Sequence, residues 1–352
     1  MNIAVDARVP VIKINKINPG IILDCVQMLA GQKKDHRFFI IYENIRPGSA
    51  NFSSNVEFIS CARFGKKGLL RKFLPDLKLP AILKKINADV LISFDNISST
   101  SLPQVLVLSE SGKINEKTVK DASIIIVNSD WHKTILKKKY KTVAGKIETI
   151  PAWPGEMFTP ITAEEKEKIK ENYSGGKEFF LYSAKKIGKD SFLKLLKSFS
   201  HFKKRQQSSI NLILLSKPEE KSIQMLSNYK YRNDVIIIEG AGAAEAATIT
   251  GASYAVIIPQ DDHQQVINTL NILQSGVPLI APDTSAVKEI VGKDALYVKA
   301  DEEMAVGEKM IRLYTDETLR NQLITQGKIT AAKFTKQKTA DSLWHCICKL
   351  IN

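Results

Sequence analysis

The stretch GASYAVIIPQDDHQQVINTLNILQSGVPLIAPDTSAVKEIVGKDALYV, residues 251–298, decides the fold. The apolar run from Ala255 to Ile258 reads as a strand and stops at Pro259. A polar loop follows, then helical spacing from Val266 to Gln274, ended by Ser275-Gly276. Pro278 to Ala281 reads as a second strand, with another loop behind it. Strand, loop, helix N-terminus, strand is the unit that places a small anionic ligand at the carboxyl edge of a parallel sheet.

Working outward, the same alternation fills the chain. Asn2–Val5, Phe38–Tyr42, Val56–Ile59, Ala88–Ser93, Gln104–Leu108, Ser123–Val127 and Ile147–Ile150 read as strands. Ile21–Ala30 and Leu79–Ile86 have helical spacing, Pro80 suiting a first helical turn. Asn128-Ser129-Asp130 offers caps for a helix beginning near Trp131. The polar stretch from Thr159 to Gly176 reads as a linker, part of it helical. A second alternation then starts. Phe179–Ser183 is a strand, followed by a basic loop and a helix from Ser191 to about Lys203. Asn211–Leu215 and Val235–Glu239 are strands, and Ala243–Thr250 is a helix. Beyond Val298 the chain reads as helical, with Asp301-Glu302-Glu303 at a helix start. Two such series predict two doubly wound α/β domains with a ligand cleft between them.

The chain has 352 residues, too many for one ordinary core. Its composition is that of a globular protein, 44% hydrophobic and 25% charged. The formal charge of +14 is uneven. Residues 1–150 carry 24 Lys/Arg against 13 Asp/Glu, a balance of +11, and the rest 27 against 24, or +3. A basic first half suits an anionic membrane face, a phosphorylated lipid or a nucleic acid, or is simply a solvated surface. Between Arg63 and Lys85 stand eight basic residues and only Asp76, with Leu69, Leu70, Phe73, Leu74 and Leu77 among them. That segment reads either as a short membrane-touching element or as a core-facing helix with solvated lysines. Nucleic acid is not expected, because the basic runs match no binding motif. Four cysteines make no disulfide framework in a chain this size. Cys346 and Cys348, beside His345, would need a further ligand pair to hold a metal, and the sequence offers none. No leader and no spanning helix is read, so the expected location is cytoplasmic, with peripheral contact on the inner face of the membrane as an option.

Several segments, in order, resemble retaining glycosyltransferases of family 4 (group 1), which have the GT-B fold. They are MNIAVDAR, LKLPAILKKINADVLIS, LPQVLVLSE, IIIVNSDWHKTILKKKY, KIETIPAWPGEMFTPI, EFFLYSAKKIGKDSFLKLLKSF and VIIIEGAGAAEAATITGASYAVIIP, with the opening stretch. The resemblance implies two Rossmann-like domains facing across a cleft. Residues 1–158 would form the acceptor side, with a C-terminal helix of about 335–352 packing back on it, and residues 159–334 the nucleotide-sugar donor domain. It implies transfer from a UDP-, GDP- or ADP-sugar to a glycan or lipid-linked acceptor, with no cofactor.

Residue by residue the chain departs from the family. Where the family has a histidine and an aspartate after the LPQVLVL-type strand, Ser109 and Glu110 stand. The paired donor-site glutamates correspond to His263 and Asn271, and the glycine turn between them to Gln264-Gln265-Val266. The donor-phosphate loop offers Lys185, Lys186 and Lys189, and Gly242 falls in the nucleotide-base region. Chemically, the lysines and the helix start at Val266 suit a diphosphate whose charge grows as it leaves. The alternative for the lysines is an ordinary solvated loop. Asn271 retains an acceptor without charge-assisted strength. In a retaining transfer the donor's own phosphate takes the acceptor proton, so Ser109 with Glu110 need supply no strong base. Two functions therefore stand: a divergent glycosyltransferase, or a catalytically inactive GT-B protein acting as a binding or scaffold partner in glycan assembly.

Overall fold

The computed structural model describes residues 1–8, 19–43, 52–61, 78–98, 100–108, 116–258, 266–283, 285–299 and 304–351. Of residues 19–22, 185, 186, 217, 221 and 285 it describes the backbone alone. The chain divides into two compact units, Met1–Ala152 with Thr335–Asn352, and Trp153–Phe334.

The first unit holds β1 (Asn2–Asp6), α1 (Pro19–Gln32), β2 (Arg37–Tyr42), β3 (Val56–Ser60), α2 (Lys78–Lys85), β4 (Val90–Phe94), β5 (Gln104–Val107), α3 (Glu116–Asp121), β6 (Ile124–Val127), α4 (Asp130–Lys139) and β7 (Ile147–Thr149). The strands form one parallel sheet in the order β3-β2-β1-β4-β5-β6-β7. VLISF, QVLV and IIIV in β4, β5 and β6 are buried throughout, as continuous apolar runs must be when helices cover both faces of a sheet. Ser129 caps α4, its Oγ accepting the His132 N–H at 3.2 Å, and Lys137–Lys139 close the helix where its dipole favours cations.

The second unit holds α5 (Ala163–Ser174), β8 (Phe179–Ile187), α6 (Lys189–Gln206), β9 (Asn211–Pro218), α7 (Glu220–Ser227), β10 (Val235–Ile238), α8 (Ala243–Ala252), β11 (Ala255–Ile257), α9 (Val266–Gln274), β12 (Leu279–Pro282), α10 (Ser285–Val291), β13 (Leu296–Val298), α11 (Ala305–Thr315) and α12 (Glu317–Ala331). Its parallel sheet runs β10-β9-β8-β11-β12-β13. The chain thus winds one way from β8 and the other way from β11, giving a topological switch point between those strands. The core is aromatic: Phe180, Phe192, Phe199 and Phe202 are fully buried. Phe180 meets Phe202 and Tyr254 edge-on, at 5.1 and 5.6 Å between centroids. Gly307 lets α11 lie against α6, since a Cβ there would fall 2.6 Å from the backbone oxygen of Ser198.

The last helix, α13 (Lys336–Cys348), belongs to the first unit. Thr339 Oγ1 donates to the Pro151 carbonyl at 2.6 Å, Lys349 Nζ donates to Glu148 Oε1 at 2.7 Å, and Trp344 packs against His36.

Several details differ from the sequence expectation. Most of the stretch expected as a linker is α5, with a full capping box between Thr162 and Glu165 and a left-handed stop at Gly175. β8 does not end at Ser183. It continues through an irregularity to Ile187, with Lys186 opposite Lys217 of β9, so Lys185 and Lys186 lie on a strand and not in a loop. α3, α7, α10 and β13 were not anticipated. Of the basic segment 63–85, residues 63–77 lie outside the described residues. The rest is α2, whose Leu79 and Leu83 are buried, the core-facing alternative for that part. Asp301-Glu302-Glu303 also lies outside the described residues.

Cys25 and Cys346 are buried, and burial pushes their thiols up to about 12 and about 11, which fits core packing rather than metal chemistry. Among the described residues no group of three or more His, Cys, Asp or Glu is placed to hold a metal ion. Among them no helix is long and apolar enough to cross a membrane.

Candidate functional site

The switch point of the second sheet is where physical reasoning places a ligand, outside the carboxyl ends of β8 and β11. The helices that follow β8 and β11 in the chain are α6 and α9. From β8, Lys185 and Lys186 occupy the final irregular strand residues. Gly188 caps α6 with extended backbone, φ −73° and ψ 161°, and Lys189 is the first residue of the helix. Gly188 and Lys189 are exposed, and among the described residues nothing lies within 4 Å of where a Gly188 Cβ would stand. From β11, the chain returns at Val266 as the start of α9. Three cationic residues and two helix N-termini therefore flank one sheet edge. Lysine residues and a helix start near one sheet edge are the residue types that suit an anion with several oxygens. Asp190, exposed in the first turn of α6, offsets part of that charge.

Other cations of this unit are spent on the fold. Lys203 is buried and donates to the carbonyls of Ser208 at 2.5 Å and Ile210 at 3.2 Å, while pairing with Asp234 at 3.0 Å. Lys170 is buried against Glu167 and Glu178. Burial opposes its ammonium, but those two carboxylates outweigh it and raise its pKa. Neither residue is available to a ligand.

The remaining candidates divide. Gly242 caps α8, and its N–H donates to Glu245 Oε2 at 3.4 Å, while Glu245 also accepts the Tyr173 hydroxyl at 2.8 Å. Asn271 lies in α9 and is buried, its Oδ1 accepting the Gly155 N–H at 2.7 Å. His263, Gln264 and Gln265 lie outside the described residues, as do Ser109 and Glu110.

On the first unit, the carboxyl edge carries a group that sequence reasoning passed over. His132, in the first turn of α4, is half-buried, and its Nδ1 is enclosed without a hydrogen-bond partner among the described residues. Burial lowers its pKa, with Asp95 after β4 pulling the other way, so the ring is held neutral. The signal in the sequence was a histidine three residues after the capping Ser129, in the run NSDWH. At the end of β1, Asp6 and Arg8 form a buried two-pronged pair, Nε to Oδ1 and Nη2 to Oδ2, each 2.7 Å, which neutralises both charges there.

With this geometry in place, comparison with known proteins is informative. Residues 163–330, just under half of the chain, match the family model described as glycosyl transferases group 1. No curated protein sequence matches the chain. Among solved structures, a glycosyltransferase from Rickettsia africae ESF-5 superposes with a TM-score of 0.78 at 14% identity, covering 100% of this chain and 98% of its own. WaaG, a glycosyltransferase involved in lipopolysaccharide biosynthesis, gives 0.69 at 12% identity, covering 96% and 98%. The Anabaena protein HepE, crystallised in complex with UDP-glucose, gives 0.71 at 12% identity, covering 99% and 100%. In fold the chain is a GT-B protein of two parallel-sheet Rossmann-like units, and the part that matches the group 1 glycosyltransferase model is the part that carries the β8–α6 lysines.

Proposed function

We propose that this protein is a glycosyltransferase, moving a sugar from a nucleotide-sugar donor to a glycan or lipid-linked acceptor with retention of configuration. The observation that supports the reading is that Lys185 and Lys186 fall at the end of β8 and Lys189 at the start of α6, beside the switch point and inside the stretch that matches the group 1 family model. The lysines and helix ends hold the diphosphate of the donor and take up the negative charge that grows as the sugar–phosphate bond breaks. In a retaining displacement the departing phosphate oxygen receives the acceptor's proton, so Ser109 and Glu110 need only orient the acceptor. Their part, like those of His263, Gln264, Gln265 and Gly242 toward the donor, is carried by resemblance.

Calorimetry with UDP, GDP and ADP tests the reading. Saturable binding of at least one is expected; no heat with any of them at millimolar concentration contradicts it. That outcome would favour the scaffold alternative, which draws support from the commitment of Asn271 and Gly242 to contacts within the protein.

Contact with an anionic membrane belongs to the same proposal. Its support is the basic balance of residues 1–150 and the exposed run Thr134–Ile135 with Lys137–Lys139 on α4. Co-sedimentation with phosphatidylglycerol vesicles, lost in phosphatidylcholine and released by salt, is expected. Equal partition in both lipids, or none in either, removes the membrane contact and leaves the transfer reading untouched.

A further inference from the structure

Asn271 is the residue at which this chain departs most usefully from its own resemblance. It stands sixth in α9 and is 9% exposed. Its Oδ1 accepts the Gly155 N–H at 2.7 Å. Three residues on, along the same helix, Gln274 Nε2 donates to the Gly155 carbonyl at 3.3 Å. Both polar groups of Gly155 are thus held by α9, from positions i and i+3 that share a face. The following turn closes on itself, Phe158 N–H donating to the same carbonyl at 3.0 Å. Phe158 also packs beside the glycine, its Cδ2 3.4 Å from where a Gly155 Cβ would stand.

A carboxylate at position 271 would bring two charged acceptor oxygens. The amide brings one neutral acceptor oxygen and an NH2, and here that oxygen is turned to the Gly155 N–H. We infer that Asn271 is a positioning residue, clamping residues 153–158 onto α9, and that it does not select the ribose of a nucleotide donor. The clamp stands on the hydrogen bonds alone; the statement about ribose rests on the transferase reading above. Its consequence for substrate class is tolerance: nucleotides lacking ribose hydroxyls lose no affinity through residue 271.

Two measurements on the full chain test this. Hydrogen exchange at the peptide spanning 153–158 should rise about tenfold or more in Asn271→Ala, the loss of one hydrogen bond to a protected amide, with β8 amides unchanged. In Asn271→Asp, which keeps an acceptor oxygen, it should stay within about threefold of the parent. Parent-like exchange in Asn271→Ala overturns the clamp, and so, should that variant fail to fold, does tenfold faster exchange in Asn271→Asp. The second measurement compares calorimetric affinities for UDP and 2′,3′-dideoxy-UDP. The ratio of the two should be the same, within about threefold, in the parent and in Asn271→Ala. A tenfold or larger collapse of that ratio on removing Asn271 overturns the claim about ribose. Absence of any nucleotide binding sinks the transferase reading instead, together with the claim about ribose, while the exchange result decides the clamp.

Discussion

Replacing Lys185 and Lys189 together with alanine is expected to weaken nucleoside diphosphate binding by on the order of 100-fold. A charge-assisted hydrogen bond to phosphate contributes roughly 1.5–3 kcal/mol, or about 10- to 100-fold per lysine. Lys189 is exposed, so solvent screening places its share at the low end. The loss should shrink as salt is raised, because the interaction it removes is electrostatic. Lys189→Arg should recover much of the affinity, since the cation is kept at the start of α6. Isothermal calorimetry reads both variants, and a thermal melt checks that the double variant is still folded. Parent-like affinity in the double variant would remove these lysines from the donor site.

Phe180→Ala is expected to produce the largest stability loss of any single change in the second unit, about 3–5 kcal/mol. Phe180 is fully buried near the start of β8, the first strand of that sheet's winding, and its ring packs edge-on against Phe202 from α6 and Tyr254 before β11. Truncation leaves a cavity between elements that cannot all collapse into it. The unit is of a size at which 1 kcal/mol moves the midpoint by roughly 2–4 °C, so a fall of about 6–20 °C should follow. With two units the melt must be resolved into two transitions, and only that of Trp153–Phe334 should move. A loss under about 1 kcal/mol would mean that this cluster does not organise the core.

What could be read from the sequence follows the length and polarity of each element. Strands such as IIIV and VIII are uninterrupted apolar runs, and α9 was readable to the residue because Val266–Gln274 is bounded by a polar loop and a Ser-Gly stop. Helices that bury little were harder. In α5 only Ile169 and Tyr173 are large apolar residues along EEKEKIKENYS, and the surviving signal was the capping pattern Thr162…Glu165. α3, α7 and α10 are six to eight residues long, too short for a period to declare itself. The overrun of β8 carries Lys185 and Lys186, polar residues that local propensity assigns to a loop. Pairing with β9 overrides it. For the candidate site the sequence shows residue types, a run of cations near a strand end, and not contacts. That Asn271 meets Gly155, 116 residues away in sequence, depends on how α9 is laid down, which no local pattern encodes. His132 was hidden for the opposite reason: a lone histidine near a helix start is unremarkable until its enclosure is seen.

The most direct measurement is a crystal structure of the full chain grown with whichever of UDP, GDP or ADP binds most tightly. The account predicts diphosphate oxygens at the carboxyl edge between β8 and β11, with Lys185 or Lys189 Nζ within about 3 Å of one of them. A nucleotide bound elsewhere, or bound there with both ammonium groups turned into solvent, would contradict it.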